Sequence, residues 1–250
     1  MKLVRDTWLI FQYEVALLIR NPATIVIALI QPITYLILFA PFLKQVMVVS
    51  SGGAYQIYVP SLYCAMGLFS GLFAGFGLLA AIRQGVITRC RVTPLSRVAL
   101  LLGRVLMWVL MIGFQAIVVT LTALLFGLRV QPANVLFALV LLALMVVLGV
   151  SISYDLALLV PNENSLPTLI NSVAQPLSLL AGVLIPLSVA PLWVRNVSVW
   201  NPFAWGTRGM RAIFEGHLGW PVVWEASVVL AFVAVVAVVL SARLFNREIA

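Results

Sequence analysis

An arginine-rich stretch, residues 83–104, contains the most specific arrangement of charged side chains in the sequence. Its five arginines are Arg83, Arg89, Arg91, Arg97 and Arg104. Thr93 and Pro94 predict a helix start, because threonine can accept a hydrogen bond from a free backbone N–H and proline suits the first helical turn. We expect a short surface helix over residues 94–104, with Gly103 as a flexible joint before the next apolar run.

Polar side chains inside the apolar segments form the second set of candidate residues. In hydrocarbon such groups need partners, so they either line a substrate path or make hydrogen bonds between helices, and both interpretations stay open for each residue. The candidates for a substrate path are Gln31, Tyr35, Asn171, Gln175 and Ser178. Residues 166–187 hold the larger group and are the best candidate for the path.

Three glycines, Gly67, Gly71 and Gly75, recur every four residues within one apolar run. Small residues at this spacing let two helices approach closely. The partner helix belongs either to a second subunit or to the same chain, and the spacing alone does not choose between them.

Catalytic motifs are missing from the sequence. Neither lysine, Lys2 nor Lys44, follows a glycine-rich phosphate loop of the GxxxxGK[ST] type. The single histidine, His217, has no HExxH spacing, and no serine lies in a GxSxG turn. We therefore expect a protein that is not an enzyme and binds no metal or cofactor itself, so that any ATP would be hydrolysed by a partner.

The composition is that of an all-α integral membrane protein. Of the 250 residues, 64% are hydrophobic and 9% are charged, which excludes a soluble domain with a charged surface. The net charge of +8 lies mainly in short segments between apolar runs, where basic residues set membrane orientation. No basic groove with interleaved aromatic residues is present, so nucleic-acid binding is not expected.

The apolar periodicity predicts one transmembrane domain over residues 1–250. An amphipathic interfacial helix covers residues 1–20, and short outer-face helices lie between the fifth and sixth spans. The six predicted spans cover residues 23–42, 57–82, 105–128, 135–160, 166–187 and 222–240.

Basic residues predict that both termini are cytoplasmic. With six spans, ten basic residues fall on the side of the termini: Lys2, Arg5, Arg20, Arg83, Arg89, Arg91, Arg97, Arg104, Arg243 and Arg247. The other side holds five, which are Lys44, Arg129, Arg195, Arg208 and Arg211.

These features together resemble the ABC-2 type exporter permeases, especially their daunorubicin-resistance-like branch, over nearly the whole chain. The loop positions that match are Pro94, Ser96, Arg97, Gly103 and Arg104. A later segment matches at Pro176, Gly182, Pro186, Pro191, Trp193, Asn201, Pro202 and Arg211. The family loop commonly carries an acidic residue upstream of the proline, whereas residues 83–93 contain none.

The resemblance implies a homodimer, or a pair of related permeases, in which each permease docks an ATP-binding cassette subunit that binds ATP and Mg²⁺. Residues 94–104 would then be the cytoplasmic coupling helix. The residues expected to contact the ATPase are Arg91, Pro94, Leu95, Ser96, Arg97 and Glu163, the last in the short internal loop after the fourth span.

The resulting expectation is the permease subunit of an ATP-driven exporter in a prokaryotic plasma membrane. It would move hydrophobic or amphipathic compounds such as drugs or antibiotics, and it would contact membrane lipids. Two alternatives stay open: an ABC-2 exporter of lipid or polysaccharide, and an ion-coupled secondary transporter. The latter predicts intramembrane carboxylates, for which Asp155 is the candidate.

Overall fold

The computed structural model describes residues 2–47, 51–83, 97–160, 165–183, 187 and 190–248. Within these segments all regular secondary structure is helical, as the composition predicts. The α-helices, in chain order, are α1 Lys2–Arg20, α2 Pro22–Met47, α3 Ser51–Ala65, α4 Gly71–Phe73, α5 Gly75–Arg83, α6 Arg97–Leu125, α7 Pro132–Leu159, α8 Ser165–Leu180, α9 Leu192–Ser198, α10 Pro202–Phe214 and α11 Pro221–Glu248.

Five helical stretches are long and apolar enough to cross a membrane. They are Pro22–Phe39, Tyr55–Arg83, Val98–Leu125, Pro132–Leu159 and Pro221–Phe245, and they overlap predicted spans one to four and six. The predicted count of six spans is not confirmed. The helix in the fifth predicted span, α8, has 16 residues, which gives about 24 Å against a hydrocarbon core of roughly 30 Å.

A glycine ends α8 earlier than the predicted boundary of the fifth span. Gly182 has a φ of +68°, a conformation that glycine adopts readily. Its N–H donates to the Leu179 carbonyl at 3.1 Å, and the Val183 N–H donates to the Ser178 carbonyl at 3.3 Å. This pair of bonds is a Schellman motif, which satisfies the last carbonyls and stops the helix.

The second predicted span is not a regular α-helix. It begins with α3, passes through a π-helical segment at Met66–Ser70 and the short α4, makes a turn at Ala74 and ends with α5. Such π segments are frequently found at functional positions in helices.

The α7 helix is the centre of the bundle, because it packs against α4, α5, α6, α10 and α11. The buried share of its candidate span is 50%, whereas it is 11% for Pro22–Phe39 and 22% for Pro221–Phe245. The second span, with a buried share of 56%, is similarly enclosed, whereas the described windows of α2 and α11 bury fewer of their residues.

Asparagine and proline define where α10 begins. Pro202 occupies a first-turn position, where its missing N–H leaves nothing unpaired. The Asn201 Oδ1 atom accepts the Phe203 N–H at 3.0 Å, and its Nδ2 atom donates to the Leu177 carbonyl at 2.8 Å. This single side chain therefore caps α10 and connects it to α8.

The prediction of a flexible joint at Gly103 is wrong. The α6 helix runs without interruption from Arg97 to Leu125, so the described part of the predicted surface helix is the start of the third span. A Cβ at Gly103 would lie 2.7 Å from Cγ2 of Ile10 and 3.1 Å from the Thr7 carbonyl oxygen. Glycine is needed there for close packing against α1.

The predicted amphipathic helix over residues 1–20 corresponds to α1. It turns Asp6, Thr7 and Ile10 towards the protein, whereas Val4 and Trp8 are 71% and 55% exposed. The part of the apolar side of α1 that holds Val4 and Trp8 thus points away from the bundle.

Candidate functional site

The predicted coupling loop is bounded by the end of α5 at Arg83 and the beginning of α6 at Arg97. Five of the six residues expected to contact an ATPase lie outside the described residues; they are Arg91, Pro94, Leu95, Ser96 and Glu163. The sixth, Arg97, is the first residue of α6. The described structure therefore defines the two helices that hold the loop.

A shielded ion pair joins α1 to α6 beside this loop. The Arg104 Nε atom donates to Glu14 Oε1 at 2.9 Å, and the two side chains are only 12% and 15% exposed. One further Arg104 nitrogen, Nη1, is buried without a hydrogen-bond partner among the described residues. Together with the close contact at Gly103, the pair makes α1 and the first turns of α6 one packed unit.

The α8 helix carries a polar face that the rest of the described chain does not cover. Its buried residues are Leu166, Ile170, Ala174 and Ser178. The opposite side exposes Thr168, Asn171, Ser172 and Gln175. Because amide and hydroxyl groups are costly to expose to hydrocarbon, this face requires water, substrate or another protein surface next to it. Asn171 and Gln175 were both predicted to line the path.

Ser178 does not belong to this face. Its side chain is fully buried, and its hydroxyl donates to the Gln175 carbonyl at 2.9 Å. The position lies on the same side of α8 as Ile170 and Ala174, so the structure does not bring Ser178 together with Asn171 and Gln175, and its contact with a substrate stays a prediction.

Gln31 and Tyr35 lie on α2, which packs against α1, α3 and α6. The α8 helix packs instead against α7, α9, α10, α4 and the π-helical segment. Gln31 is exposed, and Tyr35 is 43% exposed with its ring edge-on to Phe39 at 5.8 Å. Within one chain, the two parts of the predicted path therefore lie on helices with different neighbours.

The glycine series of the second span faces α7 of the same chain. A Cβ at Gly67 would lie 3.1 Å from Met145 Cβ, and one at Gly71 would lie 3.0 Å from the Gly149 Cα. At Gly75 the nearest atom, the Ser153 Oγ, would be 2.5 Å away. A helix of the same chain thus occupies their face, which favours packing within one chain over the alternative of a subunit contact.

Arg211 connects the end of α8 to two other helices. Its Nη2 atom donates to the Gly182 carbonyl at 2.7 Å and to the Ser61 hydroxyl at 3.2 Å, and its Nε atom is buried without a described partner. Burial lowers the pKa of the Arg211 guanidinium. The positive charge lies at the carboxyl end of α8, where the helix dipole favours a cation.

Sequence reasoning missed three of these connections, which are the Glu14–Arg104 pair, the Gly103–Ile10 contact and the Arg211–Gly182 bond. Only the Glu14–Arg104 pair could have been suspected from the sequence, because acidic residues are scarce in it. With 7 acidic residues in 250, a glutamate on an amphipathic helix and an arginine at the start of a span are candidates for pairing.

Comparison with known proteins gives one family match and several relatives. The family model for the ABC-2 type transporter matches residues 5–214. A protein named "Putative transport permease ycf38" from Cyanophora paradoxa is 26% identical over 206 residues, which cover 80% of this chain and 71% of that protein. A protein of the same name from Porphyra purpurea is 26% identical over 201 residues, which cover 78% of this chain and 69% of that protein.

The family match begins within α1 and ends at the last residue of α10. It thus includes the α1–α6 unit, residues 84–96 between α5 and α6, the polar face of α8 and the Arg211 contacts. With several apolar helices long enough to span a bilayer, this chain is a multi-pass membrane protein that belongs to the ABC-2 type transporter family.

Proposed function

We propose that this chain is the permease subunit of an ATP-driven exporter in a prokaryotic plasma membrane. The observation that carries the proposal is the uncovered polar face of α8, with Asn171 and Gln175 at its centre. Polar groups exposed to hydrocarbon cost free energy, so in a membrane protein such a face should contact water, a substrate or another protein surface.

The transport path in this proposal lies between two copies of the chain. A second copy placed over α8 would cover its amides and hydroxyls, and Gln31 and Tyr35 on α2 of either copy would add polar groups to the same space. The four polar side chains on the α8 face carry no charge. A path lined by uncharged hydrogen-bonding groups among apolar ones suits hydrophobic or amphipathic compounds, including drugs and antibiotics.

ATP and Mg²⁺ belong to a separate ATPase subunit in this proposal, because the sequence has no phosphate loop of its own. The ATPase would contact the loop between α5 and α6, including Arg91, Pro94, Leu95, Ser96 and Arg97, and the loop of Glu163. The α1–α6 unit would then transmit the movement of the ATPase into the membrane domain.

We further propose six membrane crossings with both termini in the cytoplasm. The short α8 and the residues after it would form the additional crossing. The distribution of basic residues, ten on one side and five on the other, supports this orientation under the positive-inside rule.

Gentle detergent extraction followed by identification of copurifying proteins tests the ATPase partner. We expect a soluble subunit with a Walker motif to copurify with the unaltered chain and to be lost from Arg97→Glu, because this change reverses the charge beside the loop. Arg129→Glu is the matched control, since Arg129 is exposed between α6 and α7 at the opposite end of α6. An ATPase retained equally by both variants would contradict docking at this loop.

Efflux assays test the path on α8. Asn171→Leu and Gln175→Leu should each lower ATP-dependent efflux of rhodamine 6G or ethidium by roughly five- to tenfold, the effect of losing about one hydrogen bond. Membrane abundance should be unchanged, because both side chains are exposed. Gln12→Leu on the exposed side of α1 is the control. Unaltered efflux by both α8 variants would remove this face from the path.

A further inference from the structure

One side chain of α7 forms hydrogen bonds with the backbone of the second span at its break. In an unbroken α-helix the Gly75 N–H would donate to the Gly71 carbonyl. Here it donates to the Ser153 hydroxyl at 2.8 Å, and the Gly71 carbonyl accepts the Ala74 N–H at 3.2 Å. The Ser153 hydroxyl also donates to the Leu72 carbonyl.

Ser153 therefore satisfies one backbone donor and one backbone acceptor of another helix with a single hydroxyl group. Its side chain is fully buried, so water does not replace it. Because unpaired backbone groups at membrane depth are costly, the interrupted helix depends on this hydroxyl. Insertion of a side chain into the backbone hydrogen-bond ladder is a known cause of helix kinks.

The backbones on both sides of the break touch α7. A Cβ at Gly75 would lie 2.5 Å from the Ser153 Oγ and 2.7 Å from its carbonyl oxygen, and a Cβ at Gly71 would lie 3.0 Å from the Gly149 Cα. The break thus lies where the second span and α7 approach closely. The contacts with α7 hold the residues on both sides of the break in place.

The helices on the two sides of the predicted coupling loop are built differently. On one side, α6 is continuous and is joined to α1 by the Glu14–Arg104 pair. On the other side, the described part of α5 is short, from Gly75 to Arg83, and begins directly after the break. A displacement of the loop is therefore most easily taken up at the break, since hinges use a few residues at element ends.

We propose that Ser153 is the pivot of the second span, about which α5 swings while α3 and α7 stay in contact. In the bent state, Ser153 holds the Gly75 N–H and the Leu72 carbonyl. In the straight state, the Gly75 N–H returns to the Gly71 carbonyl and the Ser153 hydroxyl bonds within its own helix. Its role in transport rests on the proposed function, whereas the two states themselves do not.

The pivot is tested by the distance between spin labels in the isolated chain in lipid nanodiscs. Ala80→Cys on α5 and Leu159→Cys at the end of α7 carry the labels in a Cys90→Ser background, and Cys64 is fully buried. We expect Ser153→Ala to favour the straight state and to shift the mean distance by roughly 2–3 Å, the displacement five residues from a 20° kink.

Ser151→Ala is the matched control, because Ser151 is a buried serine on the same helix whose hydroxyl donates to its own Val147 carbonyl at 2.8 Å. Its distance distribution should equal that of the unaltered chain. If Ser153→Ala does not accumulate, Ser153→Cys is measured instead under the same criterion, since a thiol is a weak donor and acceptor. A Ser153 variant with the distribution of the unaltered chain overturns the pivot.

A second measurement separates the pivot from the proposed function. In the complex with the copurified ATPase, a non-hydrolysable ATP analogue should change the label distance in the unaltered chain and leave it fixed in Ser153→Ala. An unchanged distance in a transport-active complex overturns the role of the pivot in coupling. If no ATPase associates, the proposed function fails. The label distances in the isolated chain still test whether Ser153 is the pivot.

Discussion

Replacing Gly71 with leucine is expected to prevent the chain from accumulating as a folded membrane protein. A Cβ at this position would lie 3.0 Å from the Gly149 Cα, 3.2 Å from its carbonyl carbon and 3.3 Å from the Val150 nitrogen. All three are backbone atoms of α7, so the clash cannot be relieved by a change of side-chain rotamer. Overpacking costs about 1–3 kcal/mol where side chains rearrange, and separating two backbones in the centre of the bundle should cost more.

Gly77→Leu is the matched control for this prediction. It introduces the same side chain on α5, at a position where an added Cβ meets nothing within 4 Å. Samples in detergent are heated, and the fraction that stays monodisperse is measured by size-exclusion chromatography. Gly77→Leu should be monodisperse before heating, whereas Gly71→Leu should give little or no folded protein. Equal midpoints for the two variants would mean that the contact between Gly71 and Gly149 does not support the bundle.

Loss of one partner of the Glu14–Arg104 pair is the second large effect that we expect. The charges are 2.9 Å apart, and their side chains are 15% and 12% exposed. Removing one member of a buried pair costs about 3–5 kcal/mol, because the other charge stays buried without compensation. Since some exposure remains, we expect a loss of about 3 kcal/mol in the free energy of unfolding for Glu14→Leu or Arg104→Leu.

The double variant Glu14→Leu/Arg104→Leu should be less destabilised than either single variant, because it leaves no unpaired charge. Glu225→Leu, which alters an exposed glutamate of α11, is the control and should stay near the stability of the unaltered chain. Chemical denaturation in detergent measures all four variants. Additive losses in the double variant would show that the two side chains do not act as a pair.

The approximate positions of most long helices were predictable from the sequence, but their boundaries were not: α6 begins at Arg97, eight residues before the predicted start of the third span. The predicted spans over residues 105–128 and 135–160 correspond to the helices Arg97–Leu125 and Pro132–Leu159. Their length follows from a local requirement, since a backbone in hydrocarbon must satisfy its own hydrogen bonds over about 20 residues. The short helices α9 and α10 between the last two predicted spans were also expected.

The purpose of individual glycines was not predictable. Gly103 resembled a joint but serves close packing against Ile10, and Gly182 lay within a predicted span but ends α8 with a φ of +68°. Gly71 was equally compatible with a second subunit and with the same chain. The absence of a side chain permits close approach, unusual backbone angles and flexibility alike, and only the neighbouring atoms show which of these is used.

The candidate site was predictable only where its residues share one helix face. Asn171 and Gln175 stood out because amides are rare in apolar segments, and both lie on the exposed face of α8. Ser178 stood out for the same reason but points inward. Ser153 gave no signal, because a serine that supports another helix has the same local pattern as one bonded within its own helix.

The sequence by itself determined the all-helical membrane character of this protein and its resemblance to the ABC-2 family, because both depend on composition, apolar run length and local motifs. Tertiary structure alone decided that α1 is joined to α6 through Glu14 and Arg104, that the glycines of the second span face α7, and that Ser153 supports the break at Ala74. These features are contacts between segments distant in the chain. Their energies depend on distances that no local pattern contains.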